Sequence, residues 1–426
     1  MSVEKIDTLV VGAGQAGIAL CEHLGDQGIP HLVLEKNRIA EAWRTSRWDA
    51  LVTNGPVWHD RFPNLEFTGN APDEFVTKDR VAAYIEEYAT MVKAPVRTGV
   101  EVIKAERLTD RAGFRVETTD GVIEATRVVS ATGAFQHPVI PPIVPSDAPI
   151  TQIHSASYRK PDQLNPGAVL VVGAGSSGAQ IADELNRAGR KVFLSVGPHD
   201  RPPRRYRGRD FVWWLGVLGL WDLAAQKPGT EHVTISVSGA YGGRTMDFRR
   251  LGNEGVTLLG LTNKYTGGTL SFAADLKANV AAGDANYLDL LDAADAYVTK
   301  MGLDLPFEPT AREMFPDPVS LSDPLADLDL AAEGITTIIW ATGYKQDFSW
   351  LNVDAFDNKG APIHQRGVSI EPGIYFLGLP WQSRRGSTFL WGVWHDAKFV
   401  ADQIAIQRAY AEYQGNAAVV TPAAAE

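Results

Sequence analysis

Gly12-Ala13-Gly14-Gln15-Ala16-Gly17 follows a short apolar run, Ile6 to Val11. It precedes a stretch of helical spacing, Ile18 to Leu24, and a second apolar run, His31 to Leu34, that ends in Glu35. Strand, turn, helix and strand in that order make one dinucleotide-binding unit. Each glycine has its own task. The first permits the tight turn, the second lets backbone approach a pyrophosphate, and the third lets helix pack on strand. The helix N-terminus adds N–H donors and the positive end of its dipole. An acid at the end of the next strand can accept ribose hydroxyls, and Glu35 stands there.

The unit recurs. Ala168 to Val172 is an apolar strand, Gly173-Ala174-Gly175-Ser176-Ser177-Gly178 the turn, Ala179 to Asn186 a helix and Lys191 to Ser195 the next strand. Two copies imply two dinucleotides. At the end of the second copy stand Ser195, Val196 and Gly197, with no carboxylate to repel a 2′-phosphate, and Arg201, Arg204 and Arg205 follow within reach of one. NADPH is therefore favoured over NADH, with NADH kept open. The competing reading of the arginines is a solvated basic loop, or one paired with the acidic remainder of the chain.

Around these units the reading is α/β, with two Rossmann-like domains and the second inserted in the first. Residues 1–150 form the first part of one domain, 151–325 the inserted domain, 326–415 the return segment and 416–426 a flexible tail. Pro138 to Pro149 and Phe315 to Pro324 are the proline-rich connectors. The strands leading into Ala131-Thr132-Gly133 and Ala341-Thr342-Gly343 end in small residues that suit joints between nested domains. From 202 to 286 no period emerges, and the stretch reads as an irregular, pocket-forming insertion. The return segment is a strand at Gly373 to Gly378, a loop through Arg384 to Ser387 and a helix that includes Asp396 to Gln407.

Composition narrows the function classes. With 426 residues there is ample material for a buried core, and 40 basic against 51 acidic residues give a net charge of −11. That balance offers no field for a polyphosphate backbone, so no nucleic-acid partner is expected. Phe211 to Leu220 is about half the ~20 residues of a membrane span and reads as core or pocket wall. No export signal is read at the N-terminus, so a cytoplasmic location is expected. The single cysteine, Cys21, excludes an intrachain disulfide, a Cys-x-x-Cys couple and a thiolate metal cluster, and no metal site is expected.

The motifs in order resemble the flavin-containing monooxygenases and their bacterial relatives, a group that also takes in Baeyer–Villiger and indole-pyruvate-type enzymes. The resemblance rests on Gly12 to Gly17 with Glu35, Ala42-Trp43-Arg44, Thr53-Asn54-Gly55-Pro56, the first Ala-Thr-Gly, His154-Ser155 with Tyr158, Gly173 to Gly178, and Ala341-Thr342-Gly343-Tyr344. It departs from the family where Ala148 and Ile150 replace the Phe and Gly of the F-x-G-x-x-x-H fingerprint, where Glu41 and Ala42 replace glycines before Trp43, and where the cation expected soon after Ser195 is delayed.

The resemblance implies FAD on the first turn, NAD(P)H on the second, and oxygen insertion from O2 into a small organic substrate through a C4a-(hydro)peroxyflavin. N- or S-oxygenation leads, and Baeyer–Villiger chemistry is retained. Asn54 matches the asparagine that hydrogen-bonds near the flavin and supports its oxygen adduct, as a carboxamide can donate and accept without titrating; its local alternative is a plain Asn-Gly-Pro turn. The implied cofactor-binding set is Gly12, Gly14, Gln15, Ala16, Gly17, Glu35, Lys36, Trp43, Arg44, Val102, Thr132, Gly133, Gly173, Gly175, Ser176, Ser177, Gly178, Arg204, Arg205, Thr342, Gly343 and Asp396. The return helix would direct its positive end at the flavin pyrimidine. A homodimer is kept open. A thiol-free NAD(P)H reductase and a non-catalytic FAD/NAD(P) redox sensor are the alternatives.

Overall fold

The computed structural model describes residues 3–224 and 234–413, so the expected tail at 416–426 lies outside the described residues. The opening unit folds as β1 (Glu4–Val11), α1 (Gln15–Asp26) and β2 (His31–Glu35). With β3 (Val96–Thr98), β4 (Gly121–Ser130) and a strand near the C-terminal end of the chain, it makes a parallel core of one sheet. The second unit folds likewise. β5 (Thr151–His154), β6 (Ala168–Val172), α2 (Ser176–Arg187) and β7 (Val192–Ser195) join β8 (Thr257–Leu259) and β9 (Ile335–Trp340). The order of this sheet is β8-β7-β6-β9-β5, all parallel.

Both glycine-turn strands sit inside their sheets and are covered on both faces, which explains their continuous apolar runs. Leu9 and Val11 enter one core cluster while Val10 enters the opposite one. In the second sheet Val169 and Val171 face one cluster, and Ala168, Leu170 and Val172 the other.

The insertion begins and ends where His137–Pro138 pairs antiparallel with Tyr344–Lys345. This corrects the expected boundary at 325. β9 belongs to the inserted domain, paired with β5 and β6, and the chain rejoins the first sheet only after Gly343. An apolar strand six residues long suits either sheet, and only its long-range partners decide. The return then supplies β10 (Ile374–Phe376), parallel to β4, and helix α5 (Leu390–Glu412), packed on α1.

The 202–286 stretch is more regular than expected. It holds α3 (Phe211–Val217), the sheet strand β8, the hairpin Thr262–Thr266/Thr269–Phe272 and the first part of α4 (Leu276–Met301). Phe211, Val212, Trp214 and Leu215 of α3 are buried, as a core or pocket wall requires. Among the described residues no helix is long and apolar enough to cross a membrane.

Candidate functional site

The glycines of the first turn have distinct surroundings. A Cβ on Gly12, whose φ is +108°, would lie 2.6 Å from the Ala131 carbonyl oxygen, and one on Gly17 would lie 2.0 Å from that of Gly12. A Cβ on Gly14 would meet nothing within 4 Å. The turn is therefore tight at its ends and open in the middle, the shape a pyrophosphate requires. Gly14 N-caps α1 through its backbone alone, so the first N–H groups of the helix have no side-chain cap.

At the end of β2 the Glu35 carboxylate accepts N–H bonds from Ala13 and Asn37, both at 2.9 Å. Lys36 pairs with Glu101 at the surface. Val102 begins the neighbouring strand and packs on the core cluster that holds Val100. Gln15 donates to the Thr388 carbonyl (2.6 Å) and accepts from Trp43 Nε1 (3.1 Å), tying the turn to the loop before α5. Ala16 is buried where Gly378 passes, within 3.0 Å of the position a Gly378 Cβ would take. Trp43 packs against the cores of both domains, and Arg44 pairs with Glu86.

Thr132 Oγ1 and the Gly133 carbonyl both accept from Gln136 Nε2, whose own amide oxygen accepts from Asp347 N. The N-cap of α5, Phe389, makes no side-chain cap, so the positive end of that helix is unneutralised. Asp396, buried in its second turn, accepts from Ser383 Oγ through one oxygen, and its Oδ2 has no partner among the described residues.

The second turn has the same frame and a different face. A Cβ on Gly173 would lie 2.5 Å from the Ala341 carbonyl oxygen and one on Gly178 1.9 Å from that of Gly173. Above Gly175, however, Thr234 Cγ2 lies 3.4 Å from the Cβ position. The segment Thr234 to Ser238 crosses the mouth of α2. Ser176 donates both its backbone N–H and its hydroxyl to the Ile235 carbonyl at 2.8 Å, Val237 N donates to Ser176 Oγ, and Asp200 bridges Ile235 in parallel register. Ser177 follows, part-exposed. The backbone N–H of Gln15 in the first cradle has no hydrogen-bond partner among the described residues, whereas its counterpart at Ser176 is occupied.

At the joint, Thr342 Oγ1 donates to the Val139 carbonyl and Val139 N to that of Gly343. His154 Nε2 bonds the same Gly343 oxygen at 3.0 Å, while its Nδ1 accepts from Ala156 N. That pair of bonds defines a neutral imidazole, and burial holds its pKa below the ordinary value.

Asn54 lies between the two domains. Its Oδ1 accepts from Gln180 Nε2 on α2 (2.9 Å), and its backbone carbonyl accepts from Arg204 Nη1 (2.6 Å). Arg204 is buried, ion-paired with Asp210 and stacked between Phe75 and Phe211. Burial lowers its pKa and Asp210 opposes that shift. Arg201 is likewise buried between Asp247 and Asp284. This corrects the expected role of Arg204 as a 2′-phosphate cation, because its donors are engaged inside the protein; of the three arginines only Arg205 is exposed.

Sequence reasoning missed Gln180 and the covering segment. A polar side chain on the inward face of α2, two residues past Gly178, was the available signal for the first; the second has no motif. Cys21 is buried, its thiol donating to the Gly17 carbonyl, and burial pushes its pKa up to about 12. It is no redox thiol.

Two nested Rossmann-like domains, each with a glycine cradle at the C-terminal edge of its sheet, define a flavin- and nicotinamide-type oxidoreductase fold. A family model described as pyridine nucleotide-disulphide oxidoreductase matches residues 9–207. An uncharacterized CzcO-like oxidoreductase of Geobacillus kaustophilus is 34% identical over 404 residues, covering 94% of this chain and 98% of that protein. A probable indole-3-pyruvate monooxygenase, YUCCA7 of Arabidopsis thaliana, is 30% identical over 418 residues, covering 93% and 87%. Among solved structures the flavin-containing monooxygenase of Stenotrophomonas maltophilia aligns with a TM-score of 0.65 at 19% identity, covering 96% of this chain and 100% of that one. The chain belongs to the flavin-containing monooxygenase family of oxidoreductases.

Proposed function

We propose that the protein holds FAD in the first cradle and NADPH in the second, and oxygenates a small organic substrate with O2, at nitrogen or sulfur in preference to a ketone. The observation that carries this reading is Asn54, held between the domains by Gln180 from the second cradle's helix. When bound, the flavin supplies the redox chemistry: it takes a hydride from the coenzyme and activates oxygen.

The chain's own residues do the rest. Gly14 and the N-terminus of α1 seat the FAD pyrophosphate, Glu35 takes the ribose, and the uncapped end of α5 stabilises negative charge beside it. Gln180 fixes the Asn54 carboxamide with Oδ1 turned toward α2, so Nδ2 is the free donor. The absence of a carboxylate at Ser195 favours NADPH over NADH. The coenzyme reaches Gly175 and Ser176 only when Thr234 to Ser238 lift from the mouth of α2, so its apparent affinity is reduced by the fraction of molecules in the lifted state.

Turnover of an aryl amine or sulfide with NADPH under ¹⁸O2 tests this. The expected result is one heavy oxygen atom in the product. NADPH consumed with all the heavy oxygen in hydrogen peroxide, or only when an artificial electron acceptor is added, would replace the monooxygenase by a reductase. The covered second seat is the observation that favours the sensor reading, which predicts no steady NADPH consumption at all.

A further inference from the structure

Beside the Asn54 turn lies a pocket of about 330 Å³ that none of the residues assigned above lines. Its walls are Trp58, His59, Trp221 and Trp391, with Gly216 of α3 contributing no side chain. His59 stacks on Trp221 with centroids 5.3 Å apart and planes 24° apart. Trp58 and Trp391 meet the same imidazole edge-on, at 5.4 and 5.2 Å. Faces and edges so arranged favour another aromatic ring over a saturated one of equal size.

The pocket is attached to both sides of the proposed flavin seat. Asp60 accepts from Gly55 N at 2.9 Å, which braces the turn after Asn54. Trp391 is the second residue of α5, and the Trp221 carbonyl accepts from Gly386 N in the loop before that helix (3.1 Å).

Two features specify the ligand further. The charged side chains that line the walls are paired, Arg61 with Glu66 and Asp222 with Arg384, while the Asp60 carboxylate beside them accepts from the His59 ring. An anion would meet ring faces and the Asp60 carboxylate without a counter-ion, so a ligand without negative charge fits. Asp60 Oδ1 lies 2.8 Å from His59 Nδ1, which puts the imidazole proton on Nδ1. Nε2 is then an acceptor, and it has no hydrogen-bond partner among the described residues.

We propose that this pocket is the substrate seat, and that it takes a flat, fused aromatic ring system without negative charge, carrying one N–H or O–H donor directed at His59 Nε2. The assignment rests on the monooxygenase reading for the word substrate, but its test is binding alone.

Calorimetric titration of the oxidised, flavin-loaded protein without coenzyme uses four probes. These are 2-naphthol, 2-methoxynaphthalene, which lacks the donor, trans-decahydro-2-naphthol, which is not flat, and the trimethylanilinium cation. 2-Naphthol should bind, and the other three should bind about tenfold or more weakly. A Cβ at Gly216 meets nothing within 4 Å, so Gly216→Leu fills the pocket from a helix without disturbing it. It should weaken 2-naphthol by about tenfold or more at unchanged flavin content and melting temperature. His59→Phe should equalise 2-naphthol and the methyl ether. Equal binding of the saturated alcohol, tighter binding of the cation, or an unchanged Kd in Gly216→Leu would overturn the assignment. A protein that binds 2-naphthol as described yet incorporates no heavy oxygen into any product would retire the monooxygenase reading and leave the pocket standing.

Discussion

Gly14→Val should give a protein that folds, melts near the temperature of flavin-stripped wild type and carries almost no flavin. Gly14 has φ −79° and ψ −172°, an extended conformation that valine adopts readily. A Cβ there meets no protein atom within 4 Å, so the branch point of the new side chain stands in open space. The space it fills is the space a pyrophosphate would occupy at the mouth of α1. A backbone approach lost by even one methyl's breadth removes the N–H contacts to the phosphates, and flavin occupancy should fall by about tenfold or more. Gly12→Val and Gly17→Val are poor substitutes as tests, because each drives a side chain into backbone oxygen and would lose flavin by misfolding. Flavin absorbance per chain in Gly14→Val at wild-type content would remove FAD from the first cradle.

The second large effect concerns Asn54. Asn54→Ala should leave flavin bound and reducible by NADPH, and divert oxygen into hydrogen peroxide, lowering product formed per NADPH by about tenfold or more. Gln180→Leu should act in the same direction and less strongly, since it frees the carboxamide without removing it. Combined, the two should cost no more than Asn54→Ala alone, because Gln180 acts through the Asn54 oxygen it holds. Additive losses would mean that Gln180 has a task of its own, such as its second bond to the Val237 carbonyl of the covering segment. Unchanged coupling in Asn54→Ala would return the residue to a simple turn.

Both cradles were legible because the physics that defines them is local. A strand, a turn that only glycine can make and a helix are adjacent in sequence, and the Cβ positions at Gly12, Gly17, Gly173 and Gly178 meet backbone of their own unit or of the neighbouring strand's end. What misled was long-range pairing. Arg201 looks free in sequence, but its partners are Asp247, the N-cap of the short helix Phe248–Asn253, and Asp284 of α4, far along the chain. Ile335 to Trp340 carries no sign of which sheet it completes. The irregular reading up to residue 286 cut α4 in two, since Gly283 interrupts its apolar spacing; that glycine is where His199 packs, 2.5 Å from the position of its Cβ. The segment over Ser176 was illegible because it is held through its own backbone groups, bonded to Ser176 and Gln180 of α2, and backbone partners leave no residue type behind in the segment.

In the proposed function one chain aims a nicotinamide held by the second cradle at a flavin held by the first. Anaerobic titration of the purified, unmodified protein with NADPH tests it most directly. The expected result is a yellow protein whose absorbance bleaches with about one equivalent of NADPH per flavin. A protein without bound flavin, or a flavin that dithionite bleaches and NADPH does not, would contradict it.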